Sequence, residues 1–275
     1  MASADTPHPD DRVAIAPIPV SQVGAERPWR WIAAGVADLR RAAGVSLTYG
    51  AIWVILSFVL SAGLYSAGLF YWLLPMAAGF MFLGPLVAVG IYAISRDLAD
   101  GEPPTLARAF ASWRVNTMQI ALMGVALMIF MIAWLRIATI LFALFFGMDT
   151  PNPQDLYTSM LMTPNGLGMI AVGTAIGAVL AFGAFAISVV SIPLLLDREV
   201  SVLEAIEASV RCVALNFRPM VLWAVILTTF ILVGMFTFYI GLVLVLPLLG
   251  HASWHAYRDL VPAVPASPTA AADAD

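Results

Sequence analysis

The sequence predicts an all-α fold: a polytopic membrane helix bundle of about six transmembrane helices, arranged as three units that each consist of an interfacial helix and two spans. Three observations predict it. Of the 275 residues 61% are hydrophobic and 11% are charged, with mean hydropathy +0.92, whereas a soluble domain carries roughly 25% charged residues. The apolar residues gather into runs long enough to cross a hydrocarbon core of about 30 Å at 1.5 Å per residue. The arginines cluster in alternate gaps between those runs, the pattern of charge held on the cytoplasmic side.

Residues 1–27 lack the basic n-region and adjoining apolar h-region of a signal peptide and read as a disordered tail. An interfacial helix follows near 29–43, where Trp29, Ile32, Val36 and Leu39 share a face while Arg30, Asp38 and Arg41 point elsewhere. Spans are expected at Leu47–Tyr65 and Leu69–Ile94. A second amphipathic segment near 105–116 aligns Leu106, Phe110 and Trp113, ahead of spans at Met118–Leu135 and Gly166–Leu195. The third, near 202–217, opens with a capping box of Ser201 and Glu204 and aligns Leu203, Ile206, Val210 and Val213. Spans at Met220–Gly234 and Phe238–Trp254 complete the membrane domain, residues 28–260, and the turn between them must be very short. Residues 261–275 are small, Pro-rich and acidic, and read as a second disordered tail.

Arginine placement sets the span count. Arg27, Arg30, Arg40 and Arg41 precede span one, Arg96, Arg108 and Arg114 lie between two and three, Arg198, Arg211 and Arg218 between four and five, and Arg258 follows the last. Six spans put every cluster on one side, with both termini cytoplasmic; five would strand Arg258 outside. Arg136 departs from the pattern, because apolar residues continue on both sides of it. Either it snorkels from a long tilted helix to the outer interface, or it is an intramembrane charge in a buried cavity, partnered by a polar group or a bound anion. The even spans also end alike: "PLVAVGIYAISRDL" (85–98) and "PLLGHASWHAYRDL" (247–260) align without a gap, and "IPLLLDREV" is a looser relative.

These segments, with "RPWRWIAAGVADL" and "LGPLVAVGIYAISRDLADGEPPTLARAF", resemble a family of bacterial predicted integral membrane proteins catalogued as domain of unknown function 2189. The resemblance runs over roughly Pro28 to Asp259 and implies an alphaproteobacterial inner-membrane protein with no assigned activity.

The chemistry-bearing residues are few. His251 and His255 stand one helical turn apart on one face, beside Trp254, Tyr257 and Arg258. With Arg136 these are the candidate ligand-binding residues. A zinc site needs three or four protein ligands, and the neighbouring spans offer no carboxylate or thiol. Axial haem ligation needs imidazoles on opposite sides of the iron. No metal and no cofactor is therefore expected. The lone Cys212 excludes an internal disulfide, and neither a nucleophile motif nor a phosphate loop is present. Gly173, Gly177 and Ala181 form a small-residue stripe suited to close helix packing. The expected function is non-enzymatic: a scaffold, assembly factor or modulator of a membrane complex. The alternative is a transporter or binder of a small anion or lipid. The expected partners are the bilayer, other membrane proteins or anionic lipid. The net charge of −4 carries no nucleic-acid signal.

Overall fold

The computed structural model describes residues 17–147 and 155–262. Residues 1–16 and 263–275, most of the two expected tails, lie outside the described residues.

Five helical stretches are long and apolar enough to cross a membrane: Ala43–Ser66, Phe70–Ala99, Thr117–Phe146, Pro164–Asp197 and Phe217–Phe236. In chain order, α1 (Arg27–Arg41) leads into α2 (Ala43–Ser66). The second stretch is a 3-10 turn at Phe70–Trp72 followed by α3 (Leu73–Val87) and α4 (Val89–Ala99). Then come α5 (Leu106–Ala111) and α6 (Thr117–Phe146). Beyond the undescribed link lie α7 (Leu156–Met162), α8 (Pro164–Ser188) and α9 (Ser191–Asp197). The chain closes with α10 (Val202–Leu215), α11 (Phe217–Phe236) and α12 (Leu242–Leu260).

Local sequence explains the boundaries. α1 starts with a proline in its first turn, where the missing N–H has no helical partner to lose, and ends on Arg40 and Arg41 near its negative pole. α10 carries the capping box of Ser201 and Glu204. One device recurs where a short helix gives way to a long one. Ala42 (φ −120°, ψ 32°), Asn116 (φ −141°, ψ 56°) and Asn216 (φ −119°, ψ 39°) each leave the helical region for a single residue.

The second and fourth apolar stretches are broken helices rather than the single spans expected. Pro85 and Pro193 each lack the N–H of a continuous helix, and the chain breaks near them at Ala88 and Val189–Val190. Neighbouring side chains re-satisfy the backbone there, as a low-dielectric site requires. Tyr49 donates to the Val87 carbonyl at 2.8 Å, and Ser209 accepts from the Val190 amide while donating to the Ala186 carbonyl.

Packing divides the molecule into a dense layer and a set of projecting helices. Val89–Ser95, Val189–Leu196 and most of Leu249–Val261 are buried, so α4, α9 and the second half of α12 form the core. Away from it, α6 exposes Leu122, Val125, Ile129, Ile132, Arg136, Ile140 and Leu144 at spacings of three and four, a continuous outward stripe. So large an apolar surface belongs in lipid. Gly173 and Gly177 face Leu141 and Trp134 of α6, so the small-residue stripe of α8 is a seam with that helix.

Several expectations change. α12 covers the segment expected as a sixth span but is not among the five stretches long and apolar enough to cross, its second half carrying His251, His255, Arg258 and Asp259. Residues 17–26 are held rather than disordered: the Ser21 amide donates to Leu260 O, the Val23 amide to Asn216 Oδ1, and Asn216 Nδ2 to Ser21 O. The buried asparagine at the α10–α11 break needs these partners, which fastens the strap. The amphipathic faces match expectation in part, since Leu39 and Val213 are buried. Trp29, Leu203, Val210 and Phe110 are exposed, and the sides turned to the bundle are Trp31, Gly35 and Asp38 in α1, Ala109 and Ser112 at α5, and Ala205, Ala208 and Ser209 in α10. Small side chains at Gly35, Ala109, Ala205 and Ala208 allow the closer approach, with Trp31, Leu39 and Val213 buried beside them.

Candidate functional site

α12 is the element on which the site is built. It packs against α1, α2, α4 and α11, and it comes close because small residues stand at the crossings. A Cβ on Gly35 of α1 would lie 2.7 Å from the Ala252 backbone nitrogen, and one on Gly250 would lie 2.7 Å from Ile91 of α4. Between those crossings sits His251, 0% exposed.

The imidazole of His251 is held at both ends. Its Nε2 is 2.9 Å from Ser46 Oγ, in the first turn of α2, and its Nδ1 is 2.6 Å from Ser95 Oγ on α4. Ser95 donates to Asp38 Oδ2 on α1 at 2.9 Å, and His255 Nε2 reaches the same oxygen at 2.8 Å. The proton positions follow by elimination. A serine hydroxyl has one proton, and that of Ser95 goes to the carboxylate, so Ser95 must accept from His251 Nδ1–H. The ring is then neutral at Nε2, which accepts from Ser46 O–H. The chain runs in one direction, Ser46 to His251 to Ser95 to Asp38, with His255 as a second donor to Asp38. Burial alone would raise the Asp38 carboxyl; hydrogen bonds from His255 and Ser95 outweigh it and hold the group below its ordinary value.

A hydroxyl donating to an imidazole whose other nitrogen is oriented from behind is the layout that activates serine nucleophiles. Here Ser46, Ser95 and His251 are all buried, so the hydroxyl faces protein. The cavity nearby, between Tyr49, Trp53, Val87, Ile91 and Leu246, measures about 20 Å³, room for one water molecule. One chain of hydrogen bonds joins the neighbouring helices α1 and α2 to α4 and α12.

The other candidate residues divide between this region and elsewhere. Trp254 is a core side chain whose ring lies 5.4 Å from that of Tyr257, tilted by 51°. Tyr257 donates to Asp197 Oδ2 at 2.6 Å, joined at 3.4 Å by Arg258, so both tie α12 to the end of α9. Asp259 accepts from Arg27 and from the Trp31 indole at 2.9 Å. The two aligned Arg-Asp-Leu segments act alike: Arg96 donates to Leu196 O at the end of α9, and Asp97 grips Arg108 of α5. Arg136 stands apart, on the outward stripe of α6, near the Trp134 indole that donates to Pro75 O. It faces out rather than into a cavity with α8.

Asp38, Ser46 and Ser95 escaped the sequence reading, which also gave the histidines no carboxylate neighbour; Asp38 supplies one from an interfacial helix. The available signal was spacing, because Trp31, Gly35, Asp38 and Ala42 recur at helical intervals on the buried face of α1. Among the described residues no group of three or more His, Cys, Asp or Glu is placed to hold a metal ion.

No curated protein and no solved structure matches the chain. A family model does match residues 73–197, from the start of α3 to the end of α9, a segment that contributes Ser95 to the network. Over that segment the chain is similar to the family described as predicted integral membrane protein (DUF2189).

Proposed function

We propose that this integral membrane protein is a non-enzymatic scaffold or assembly component of a membrane complex. The observation that carries the reading is the closed polar network: its acceptors and donors are taken up by one another, which fastens α12 to α1, α2 and α4. Groups kept for a substrate would be left open toward a cleft. The outward position of Arg136 gives the anion-transport alternative no cavity. Reconstituted in vesicles, the full chain should pass no chloride, phosphate or small organic anion above the empty-vesicle rate. Crosslinked in native membranes, it should migrate with a defined set of membrane proteins. Saturable anion flux abolished by Arg136→Gln would establish the transporter instead.

The same reading places the protein in a bacterial inner membrane, crossing it six times with α12 as the sixth crossing and both chain ends in the cytoplasm. The arginine distribution supports it, as does the meeting of the 17–26 strap with Leu260 on one face of the molecule. Alkaline phosphatase fused after residue 260 should be inactive, and fused at Asn152 active. An active fusion after residue 260 would reject six crossings with a cytoplasmic end.

A further inference from the structure

The outward sides of α1, α5 and α10 repeat one combination. Each helix leaves a large apolar side chain exposed on its outward side: Trp29 (58%), Phe110 (42%) and Leu203 (75%). At each break between short and long helix, an exposed arginine stands within two residues: Arg40 before Ala42, Arg114 before Asn116 and Arg218 after Asn216. None of the three forms an ion pair among the described residues. Four buried or half-buried carboxylates are engaged with other groups: Asp38 with His255, Asp97 with Arg108, Asp197 with Tyr257 and Arg258, and Asp259 with Arg27.

We infer that Arg40, Arg114 and Arg218 form a collar that binds the phosphate groups of anionic phospholipids in the leaflet at the strap side of the protein. Charge complementarity selects this occupant. Three uncompensated guanidiniums meet a surface of phosphates, with which guanidinium makes charge-assisted paired hydrogen bonds. The exposed apolar side chains on the same helices seat beside them at the acyl boundary, where large aromatic and aliphatic residues partition. A soluble acidic partner would match the arginines and leave the apolar side chains in water. The inference is independent of which side of the membrane the strap occupies and of the scaffold reading.

The test uses the full-length chain purified in mild detergent and exposed to mixed micelles of phosphatidylglycerol and phosphatidylcholine, with bound lipid counted by native mass spectrometry. The wild type should retain phosphatidylglycerol several-fold over phosphatidylcholine. Arg40→Gln, Arg114→Gln and Arg218→Gln should each remove part of that preference, and the triple change should abolish it at unchanged elution volume. Arg136→Gln, remote from the collar, should leave it intact, and soluble glycerol phosphate should displace nothing. Equal retention of the two lipids by the wild type overturns the inference, as does undiminished preference in the triple variant. Displacement by glycerol phosphate would reassign the arginines to a free anion and also overturn it. If the triple variant aggregates, the three single changes decide the matter, and preference unchanged in all of them counts against the collar.

Discussion

At the residue scale, His251 is the member whose removal does most damage. His251→Ala would leave the hydroxyls of Ser46 and Ser95 facing a void in a buried site, and each unmade hydrogen bond there costs about 1–3 kcal/mol. Thermal unfolding in detergent should therefore show a large drop for His251→Ala and a smaller one for the half-exposed His255→Ala. The pH dependence follows from Asp38. Because its folded carboxyl lies below the ordinary 3.8, the folded protein binds fewer protons there than the unfolded chain. Its contribution is present above pH 3.8 and is lost as pH falls through that value toward the folded one. Asp38→Asn should flatten the acid limb of a melting-temperature profile, and an unchanged limb would remove Asp38 as its source. Of this site, the two histidines were legible because four-residue spacing puts them on one face. Asp38 was not, because a helical projection assigns large apolar residues to the buried side, and α1 instead buries Gly35 and Asp38 and exposes Trp29.

At the element scale, close approach is set by particular glycines and one strained turn. Gly35→Ala puts a Cβ 2.7 Å from backbone of α12, which cannot swing aside as a side chain would. It should destabilise the protein by about 1–3 kcal/mol through overpacking, although alanine is the better helix former. The α11–α12 turn carries Phe238 (φ 51°) and Tyr239 (φ 65°) in the left-handed region. That conformation costs an L residue roughly 1–2 kcal/mol. Phe238 is 80% exposed and has little packing to lose, so Phe238→Gly should hold or raise the melting temperature. Tyr239→Gly should not, because it removes an edge-to-face contact with Phe58 at 5.7 Å. Hydropathy made the long helices visible, and Pro85 and Pro193 marked the neighbourhoods where two of them break. The small residues on the inner sides of the short helices, Gly35, Ala109, Ala205 and Ala208, were not visible, since they become a contact surface only when a neighbouring helix is present.

At the scale of the whole molecule, the first and last described segments meet. Arg27 and Trp31 hold Asp259, the 17–26 strap holds Asn216 and Leu260, and Asp38 bonds Ser95 and His255 directly and His251 through Ser95. The projecting apolar helices are thus anchored in a layer of polar contacts made between segments up to 232 residues apart. The central claim is that the buried network is a structural lock joining the first helix to the last. A double-mutant cycle between Asp38→Asn and His251→Gln, read as unfolding free energy of the full chain in mixed micelles, tests it most directly. These residues touch only through Ser95, so a working lock predicts a coupling of about 1–3 kcal/mol, as for groups in one hydrogen-bond network. Additivity within about 0.5 kcal/mol would contradict it, since the residues would then contribute as unconnected neighbours.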